Sequence, residues 1–409
     1  MTRSFRNSAS MAVDPKRILY VQPNNEVGGS DIALLRTIQE LDRDRYTPVV
    51  ALPNDGPLSE PLRQVGADLH FVPMMQLRTL PSVSYQARYL AAIVPTIRRL
   101  RAMIDNQNIA LVHTNSLYCV YGAWAARMAR RPHLWHVREI PPSVPVLRPL
   151  YAQMVLRLST LVVAMSTACV DGLFGPNALP GDGKGNVASK IFVMPDGIDV
   201  DQWNPAISGD RIRRELNLAA DTPVVGFVAR LDPWKGVEVF LRAAKRVSER
   251  APQTQFLIVG DAPSGFEAYR DEMVALAKTL GLADKVHFLG WRYRLGDIPE
   301  VMAALTVLCH TPVQPEPFGL VVIEAMAVGC PVVAPRAGGP AETVADGTTG
   351  FLVPIGDAEA FADRLCHLIE DPGRLHTMRI AARERAVSQY SSARFASRLA
   401  EAYARVLPD

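Results

Sequence analysis

Short apolar runs alternate along the chain with longer stretches in which apolar residues recur at helical spacing. The first series opens with R-I-L-Y-V at Arg17 and proceeds through T-P-V-V-A-L, I-A-L-V-H-T-N-S and H-L-W-H-V-R-E to I-F-V-M-P-D-G-I-D. Such alternation is typical of strand–helix–strand units, in which helices cover both faces of a parallel sheet. The pattern therefore predicts an α/β domain in the first half.

A second series of the same kind begins near Thr222, after a break in periodicity at 200–221. We predict a disordered tail at 1–14, two successive Rossmann-like domains at 15–205 and 206–388, and a terminal helix at 389–409. Ligands of open parallel sheets bind beyond the carboxyl ends of the strands. We therefore expect the functional site in a cleft between the two domains.

Length and charge narrow the class of protein. The 409 residues are enough for two cores, and 48% hydrophobic with 21% charged residues is a globular composition. The 44 Lys and Arg residues against 41 Asp and Glu give a net charge of +3. This balance disfavours nucleic-acid binding by bulk electrostatics.

The five cysteines are scattered and lie mostly in apolar runs. This arrangement indicates neither a disulfide framework nor a zinc site. No apolar stretch approaches the roughly 20 residues of a membrane helix, and the N-terminal tail lacks the apolar centre of a signal peptide. We therefore expect a cytoplasmic protein.

The strongest chemical signal is a proline-rich loop followed by a helical pattern, H-T-P-V-Q-P-E-P-F-G-L-V-V-I-E-A-M-A-V-G. The helix is expected to begin near Phe318 or Gly319 and to stop at Gly329. Its first amides have no partner within the helix and suit phosphate and sugar hydroxyls. Glu316 precedes the helix and Glu324 lies inside it, and a carboxylate can accept two hydrogen bonds from a diol. Two solvated glutamates that flank a buried helix are the alternative.

This segment resembles the E-x7-E motif of the retaining GT-B glycosyltransferases, which are the family 4 or group 1 enzymes with two Rossmann-like domains facing each other across a cleft. The resemblance covers nearly the whole chain, because several separate motifs recur in order. It implies that Glu316 contacts hydroxyls of a donor sugar and that Glu324 binds the ribose of its nucleotide. It assigns further donor contacts to the backbone of Phe318, Gly319 and Leu320. It also implies a C-terminal helix that crosses back to the first domain, and a helix that only caps the second domain is the alternative.

Two cations follow the first strand of the second series, in G-F-V-A-R-L-D-P-W-K-G. An arginine fork and a lysine around a diphosphate would stabilise the charge that grows as a sugar bond breaks. The family carries the same Arg and Lys-Gly, so the resemblance assigns Arg230 and Lys235 to the diphosphate. Surface cations that cap a loop are the alternative.

Paired glycines, Gly28 and Gly29, follow the first strand in P-N-N-E-V-G-G-S. They allow a close approach of backbone to ligand and a turn with positive φ, although an ordinary tight turn is equally compatible. The run is not a G-x-G-x-x-G fingerprint, and no acidic partner follows at the required distance, so a nicotinamide dinucleotide site is disfavoured. By resemblance, this turn meets the donor diphosphate, chiefly at Gly29.

Polar residues also end two strands of the first series. His136 stands where relatives have a cleft histidine close to donor sugar and acceptor, and an imidazole there can donate to a sugar hydroxyl or help to stabilise the departing phosphate. A hydrogen-bonded structural histidine is the alternative, and for His113 it is the favoured one. Arg138 and Glu139 are compatible with an acceptor contact and equally with a salt-bridged loop.

Several glycine-containing turns extend the resemblance. The run M-P-D-G-I-D resembles the family's P-N-G-V-D turn, with Asp196 in place of the usual Asn. The loop at Gly260 resembles a glycine loop near the nucleotide, without its second glycine, and Gly290 lies where relatives form the nucleobase pocket. P-R-A-G-G-P-A-E, which ends at Glu342, resembles the glycine turn and acidic residue that follow the donor helix.

No pattern suggests a nucleophile with its base, and the predicted cleft segments contain no D-x-D metal motif. The chemistry then depends on a good leaving group held by charges. We predict front-face transfer with retention, without metal or other cofactor, from a UDP-, GDP- or ADP-sugar to a glycan or lipid-linked acceptor in cell-surface polysaccharide or glycolipid synthesis. The alternatives are a pyridoxal-phosphate phosphorylase, a sugar-nucleotide epimerase and a non-catalytic sugar-nucleotide-binding subunit. These residues do not encode the base, the sugar, the acceptor or the oligomeric state.

The segment 83–104 predicts a helix on which arginines stand beside apolar residues. They are Arg88, Arg98, Arg99 and Arg101, with Tyr89, Leu90, Ile93, Val94 and Ile97. A basic amphipathic face can contact an anionic membrane, which would place the protein at the inner membrane face. A helix that buries its apolar residues in the core is the favoured alternative, and Pro95 can kink it.

Overall fold

The computed structural model describes residues 14–26, 28–77, 82–141, 147–176, 178–179, 188–263, 265–292 and 296–407. Nearly all of the tail predicted over 1–14 lies outside the described residues. The chain groups into two compact units. The first comprises Met1–Trp135, Leu158–Leu161 and Ala402–Asp409, and the second comprises His136–Arg157 and Val162–Glu401. The domain limits predicted from the sequence stay predictions.

Seven strands form the first sheet, in the order β3-β2-β1-β4-β5-β6-β7. They are β1 (Lys16–Val21), β2 (Tyr46–Leu52), β3 (Asp68–Phe71), β4 (Ile109–Thr114), β5 (His133–Val137), β6 (Leu161–Ala164) and β7 (Ile191–Val193). β1 pairs in parallel with both β2 and β4. Because the chain order reverses between β1 and β4, a ligand crevice is expected beyond their carboxyl ends.

Six strands form the second sheet, in the order β10-β9-β8-β11-β12-β13. They are β8 (Val224–Val228), β9 (Gln255–Val259), β10 (Val286–Phe288), β11 (Val307–Cys309), β12 (Val332–Pro335) and β13 (Gly350–Val353). β8 pairs in parallel with β9 and with β11. The same reversal therefore falls between β8 and β11, and the loops after these two strands are the place for a ligand.

Helices connect the strands. Those up to β7 are α1 (Gly29–Gln39), α2 (Ser59–Gln64), α3 (Val83–Asn106), α4 (Tyr121–Ala129), α5 (Leu147–Leu158) and α6 (Thr167–Phe174). Those that follow are α7 (Asp210–Glu215), α8 (Val237–Arg250), α9 (Glu267–Thr279), α10 (Asp297–Ala304), α11 (Leu320–Ala327), α12 (Pro340–Thr343), α13 (Ala358–Glu370), α14 (Pro372–Tyr390) and α15 (Ser392–Val406). The α/β class predicted from the alternation is confirmed.

The strands read as nearly continuous apolar runs because helices cover the sheets and bury them. In the first unit, Val49 and Val112 pack with Leu100 of α3. In the second, Phe256 of β9 packs edge-on against Phe240 of α8, with ring centroids 6.3 Å apart.

The helix predicted over 83–104 is confirmed as α3, and its apolar residues divide between core and surface. Tyr89 and Ile97 are buried. Leu90 is 65% exposed and Val94 is 53% exposed. No helix in the described part of the chain combines the length and the apolarity needed to cross a membrane.

The end of α15 belongs to the first unit, as the predicted return of the C-terminal helix requires. The hydroxyl of Tyr403 lies 2.7 Å from that of Tyr20 and 2.9 Å from Nδ1 of His113. All three side chains are fully buried. His113 thus has a structural contact, in line with the favoured interpretation of this residue.

Candidate functional site

The loop after β8 carries a buried carboxylate between the two cations predicted to bind a diphosphate. Nη2 of Arg230 is 3.4 Å from Oδ2 of Asp232, and their side chains are 50% and 6% exposed. Burial raises the pKa of Asp232, while the charges of Arg230 and Lys235 partly lower it. Half of the Arg230 side chain stays open to solvent, where an anionic ligand can reach it.

Close contact between two loops fixes the position of Lys235. The next residue, Gly236, has a φ of +73°, and a Cβ there would lie 1.9 Å from the carbonyl oxygen of Thr311. The Thr311 hydroxyl donates to the Gly236 carbonyl at 2.9 Å, and the Val313 N–H donates to the Trp234 carbonyl at 2.9 Å. The glycine of the Lys-Gly pair is therefore required where the loops after β8 and β11 meet.

Glu316 lies between Lys235 and His310. Nζ of Lys235 donates to Oε1 of Glu316 at 2.7 Å, and Nε2 of His310 lies 2.9 Å from Oε2. The side chains of Lys235, Glu316 and His310 are 13%, 12% and 4% exposed. The His310 contact has the distance of an ion pair without the alignment of a hydrogen bond. Lys235 also lies 3.8 Å from the ring centroid of Trp234, a favourable cation–π position.

These neighbours keep Glu316 charged. Burial alone would raise the pKa of Glu316, but the charges of Lys235 and His310, with the Lys235 hydrogen bond, hold it well below its usual range. An ionised carboxylate only accepts hydrogen bonds. Glu316 is therefore suited to a ligand that offers hydroxyl donors.

The backbone of Glu316 rests on the glycine turn after β12. The Gly339 N–H donates to the Glu316 carbonyl at 2.7 Å. Gly338 has a φ of +66°, and a Cβ there would lie 2.2 Å from the same carbonyl oxygen. The turn that the sequence associates with the donor helix thus packs directly against the loop that carries Glu316.

The helix predicted after that loop is confirmed as α11. It begins at Leu320, directly after Gly319, and Phe318 before it is 3% exposed. Among the described residues no side chain caps its N-terminus. Glu324 lies in the second turn and is half-buried. The first amides of α11 are thus oriented for an anion or a hydroxyl oxygen.

The sequence suggested that the paired glycines after β1 could form a turn with positive φ, but they do not adopt that conformation. Gly28 has a φ of −97° and Gly29 is the first residue of α1. The Gly28 N–H donates to Oδ2 of Asp31 at 3.0 Å, and Gln22 donates to Oδ1 at 2.6 Å. Asp31 is 1% exposed, and its burial raises its pKa to about 6 despite these two bonds. The turn is shaped by this buried carboxylate instead.

His136 is fully buried and lies beside a buried ion pair. Nη2 of Arg138 is 3.3 Å from Nδ1 of His136. Nη1 of Arg138 donates to both carboxylate oxygens of Asp196, at 2.7 and 2.9 Å, and the pair is 1% and 3% exposed. The structure thus shows the salt-bridge alternative for Arg138. A sugar contact by His136 stays a prediction.

Sequence reasoning did not single out three residues of these clusters: His310, Asp232 and Asp31. The rule that ligand groups follow strand ends would have found His310, which comes directly after β11. Among the described residues, no group of three His, Cys, Asp or Glu side chains could hold a metal ion.

Comparisons with known proteins agree with this architecture. Residues 208–385 match the family model of the glycosyl transferases group 1, and residues 28–178 match that of a glycosyl transferase 4-like domain. HepE of Anabaena, solved in complex with UDP-glucose, is 28% identical, with a TM-score of 0.79 over 95% of this chain and 99% of HepE.

Two curated relatives are named D-inositol 3-phosphate glycosyltransferase. The protein of Mycobacteroides abscessus is 30% identical over 436 residues, which cover 99% of this chain and 93% of the relative. The protein of Actinosynnema mirum is 38% identical over 189 residues. That match spans about half the length of the relative, at 45% of each chain.

The fold and these matches define a transferase with the GT-B fold. The two sheets, the loop after β8 and the E-x7-E segment stand in the order expected for that class. The chain belongs to the glycosyl transferases group 1 family.

Proposed function

We propose that the protein transfers a sugar from a nucleoside diphosphate sugar to a glycan or lipid-linked acceptor, with retention of the anomeric configuration. The observation that carries the proposal is the cluster of Lys235, Glu316 and His310 beside the start of α11. It joins an ionised carboxylate to a cation next to helix amides, as a ligand with hydroxyls and a diphosphate requires.

Arg230 and Lys235 are assigned to the diphosphate. Arg230 is half exposed, and Lys235 already compensates the charge of Glu316 at 2.7 Å. When the bond between sugar and phosphate breaks, negative charge grows on the leaving diphosphate, and fixed cations stabilise it without reorganisation. The amides at Gly319 and Leu320 add donors from the N-terminus of α11.

The sugar and the ribose are assigned to the two glutamates. The carboxylate of Glu316 accepts hydrogen bonds from hydroxyls of the sugar. The carboxylate of Glu324, one turn into α11, accepts hydrogen bonds from the ribose hydroxyls, as the family motif implies. Gly29 at the start of α1 is assigned to the diphosphate, and His136 to a sugar hydroxyl or the leaving phosphate. Transfer proceeds from the front face, and the leaving phosphate helps to deprotonate the acceptor.

The first donor to test is UDP-glucose, because it is the ligand of the HepE complex. A ligand that binds only the folded state raises the midpoint of thermal unfolding. Melting curves with UDP-, GDP- and ADP-sugars should therefore show one preferred nucleotide. If none of the three shifts the midpoint, the donor assignment is wrong.

Retention can be tested on the product. With the preferred donor and an acceptor that supports turnover, the anomeric proton of the new linkage is read by NMR. The configuration of the donor is expected to persist. An inverted product would refute the front-face mechanism and leave the donor assignment intact.

We also propose that α3 contacts an anionic membrane that carries the acceptor, within cell-surface polysaccharide or glycolipid synthesis. Leu90 and Val94 are exposed apolar residues, and Arg98 and Arg101 are exposed beside them. A helix face of this composition binds anionic bilayers by apolar insertion and charge attraction.

Cosedimentation with phosphatidylglycerol vesicles and with phosphatidylcholine vesicles tests this surface. Binding to the anionic vesicles alone is expected, and the double variant Arg98→Glu/Arg101→Glu should abolish it. The matched control reverses two exposed arginines of α8, Arg242 and Arg246, and should bind like the wild type. Equal losses in both variants would indicate a net-charge effect and refute a site on α3.

A further inference from the structure

Glu342 caps a helix that precedes it by 175 residues. Its Oε2 accepts from the Thr167 N–H at 3.0 Å, and its Oε1 accepts from the Ala168 N–H at 2.9 Å. Both amides belong to the first turn of α6 and have no partner within that helix. A carboxylate at a helix N-terminus makes charge-assisted hydrogen bonds that also complement the helix dipole. The acidic residue after the glycine turn is thus a helix cap.

Ser166, the residue before α6, contacts the loop that carries Glu316. Its hydroxyl accepts from the Cys169 N–H at 3.1 Å and donates to the Pro317 carbonyl at 2.5 Å. Ser166 is 1% exposed, so water does not compete for these bonds. The Cys169 thiol lies 3.7 Å from the same carbonyl, and burial raises its pKa to about 12, so it stays a thiol donor.

These bonds close a ring through three segments. The Gly339 N–H holds the Glu316 carbonyl at 2.7 Å, and Ser166 holds the next carbonyl, that of Pro317. Glu342, three residues beyond Gly339, then ties the glycine turn back to α6. Two successive carbonyls of the loop, those of Glu316 and Pro317, are therefore held by hydrogen bonds from two different segments.

We propose that Glu342 and Ser166 are positioning residues for the donor-binding loop 316–318. The proposal rests on the proposed function, because it gives Glu316 the contact with the donor sugar. A binding group that is already held in its bound position costs less free energy to order when the ligand arrives, so its preorganisation strengthens binding. The ring keeps the Glu316 carboxylate at its distance from Lys235 before a donor arrives.

Three single variants test the proposal. Glu342→Gln keeps the shape of the side chain but leaves it one amide oxygen as acceptor, and Ser166→Ala removes the bond to Pro317. The matched control is Asp357→Asn, because Asp357 caps α13 through the Glu359 and Ala360 amides at 3.1 and 3.0 Å, outside the ring.

All three variants should lower the midpoint of thermal unfolding, but only Glu342→Gln and Ser166→Ala should alter donor kinetics. We expect the donor KM to rise about tenfold in each of these two variants. A tenfold change is the size expected for the loss of one hydrogen bond to a charged or buried group. The change in kcat should be smaller. In the double variant Glu342→Gln/Ser166→Ala, the rise in donor KM should be smaller than the product of the two single effects, because one broken bond already opens the ring.

Two failures are distinguishable. If the wild-type enzyme turns over no nucleotide sugar, the proposed function fails and the positioning role fails with it. If the wild-type enzyme is active and Glu342→Gln and Ser166→Ala behave like Asp357→Asn, with lower stability and an unchanged donor KM, only the positioning role is refuted.

Discussion

Replacing Lys235 by methionine tests the centre of the proposed donor site. The change removes the ammonium group and keeps most of the apolar stem. Nζ of Lys235 lies 2.7 Å from Glu316 Oε1, and the two side chains are 13% and 12% exposed. Removal of one partner from a fully buried pair costs about 3–5 kcal/mol, so this nearly buried pair should cost about 2–3 kcal/mol of unfolding free energy. Turnover should fall about 100- to 1000-fold, which is the usual effect of removing one preorganised hydrogen-bond donor that stabilises negative charge in a transition state.

The same variant should change the pH dependence. Lys235 helps to hold the pKa of Glu316 low, against the opposing effect of burial. A carboxyl whose pKa is depressed in the folded state stabilises the protein above its unfolded pKa, and that contribution is lost as pH falls toward the folded pKa. Without Lys235 the pKa of Glu316 rises. The acidic limb of kcat/KM should therefore move to higher pH.

Steady-state kinetics over a pH series and urea unfolding measure both effects. The matched control is Lys245→Met on α8, where Nζ lies 3.2 Å from Glu249 and the side chains are 41% and 58% exposed. An exposed pair of this kind contributes less than about 1 kcal/mol, and its loss should leave turnover unchanged. Equal turnover in Lys235→Met and Lys245→Met would refute the assignment of Lys235.

Three further predictions follow from buried contacts. Gly338→Ala should abolish most turnover, because its Cβ would lie 2.2 Å from a carbonyl oxygen of the donor-binding loop. The control is Gly347→Ala, because Gly347 has a similar φ of +75° and no described atom lies within 4 Å of the new Cβ. This control should cost only the backbone strain of about 1–3 kcal/mol. Similar activity of Gly338→Ala and Gly347→Ala would contradict the packing argument. Arg138→Met should lower the unfolding free energy by about 3–5 kcal/mol, because Asp196 stays buried without its cation, and urea unfolding measures this loss. For Asp31, whose pKa is raised to about 6 in the folded state, stability should fall by about 3 kcal/mol as pH rises from about 4 to about 7. Asp31→Asn should remove that slope, and an unchanged slope would exclude Asp31 as its source.

The fold was predictable because its signals are local. Strands and helices alternate in the apolar pattern, and buried parallel strands are short and continuously apolar. The same locality made α11 predictable, since a proline-rich loop, an apolar run and Gly329 mark its limits. Both glutamates of the E-x7-E segment lie within that one stretch. Their placement relative to the helix therefore required no knowledge of distant residues.

The partners of these residues were not predictable, because they come from distant parts of the chain. Arg138 and Asp196 are 58 residues apart, and Lys235 and Glu316 are 81 residues apart. A pattern also does not reveal what a charged residue meets after folding. Glu342 was recognised as part of a turn, yet its function as a cap on α6 depends on amides 174 and 175 residues earlier.

Arg138 decides which hydrogen bonds His136 can make. A guanidinium group has only donors, so the contact of Arg138 Nη2 with Nδ1 of His136, at 3.3 Å, requires that Nδ1 accept. The proton of the imidazole then resides on Nε2, and the ring carries no charge. A ring in this state donates from Nε2 and does not accept a proton there. The first function predicted for His136, donation to a sugar hydroxyl, is compatible with this tautomer. A general base at Nε2 is not compatible with it, so His136 is predicted to act as a hydrogen-bond donor and not as the base of the reaction.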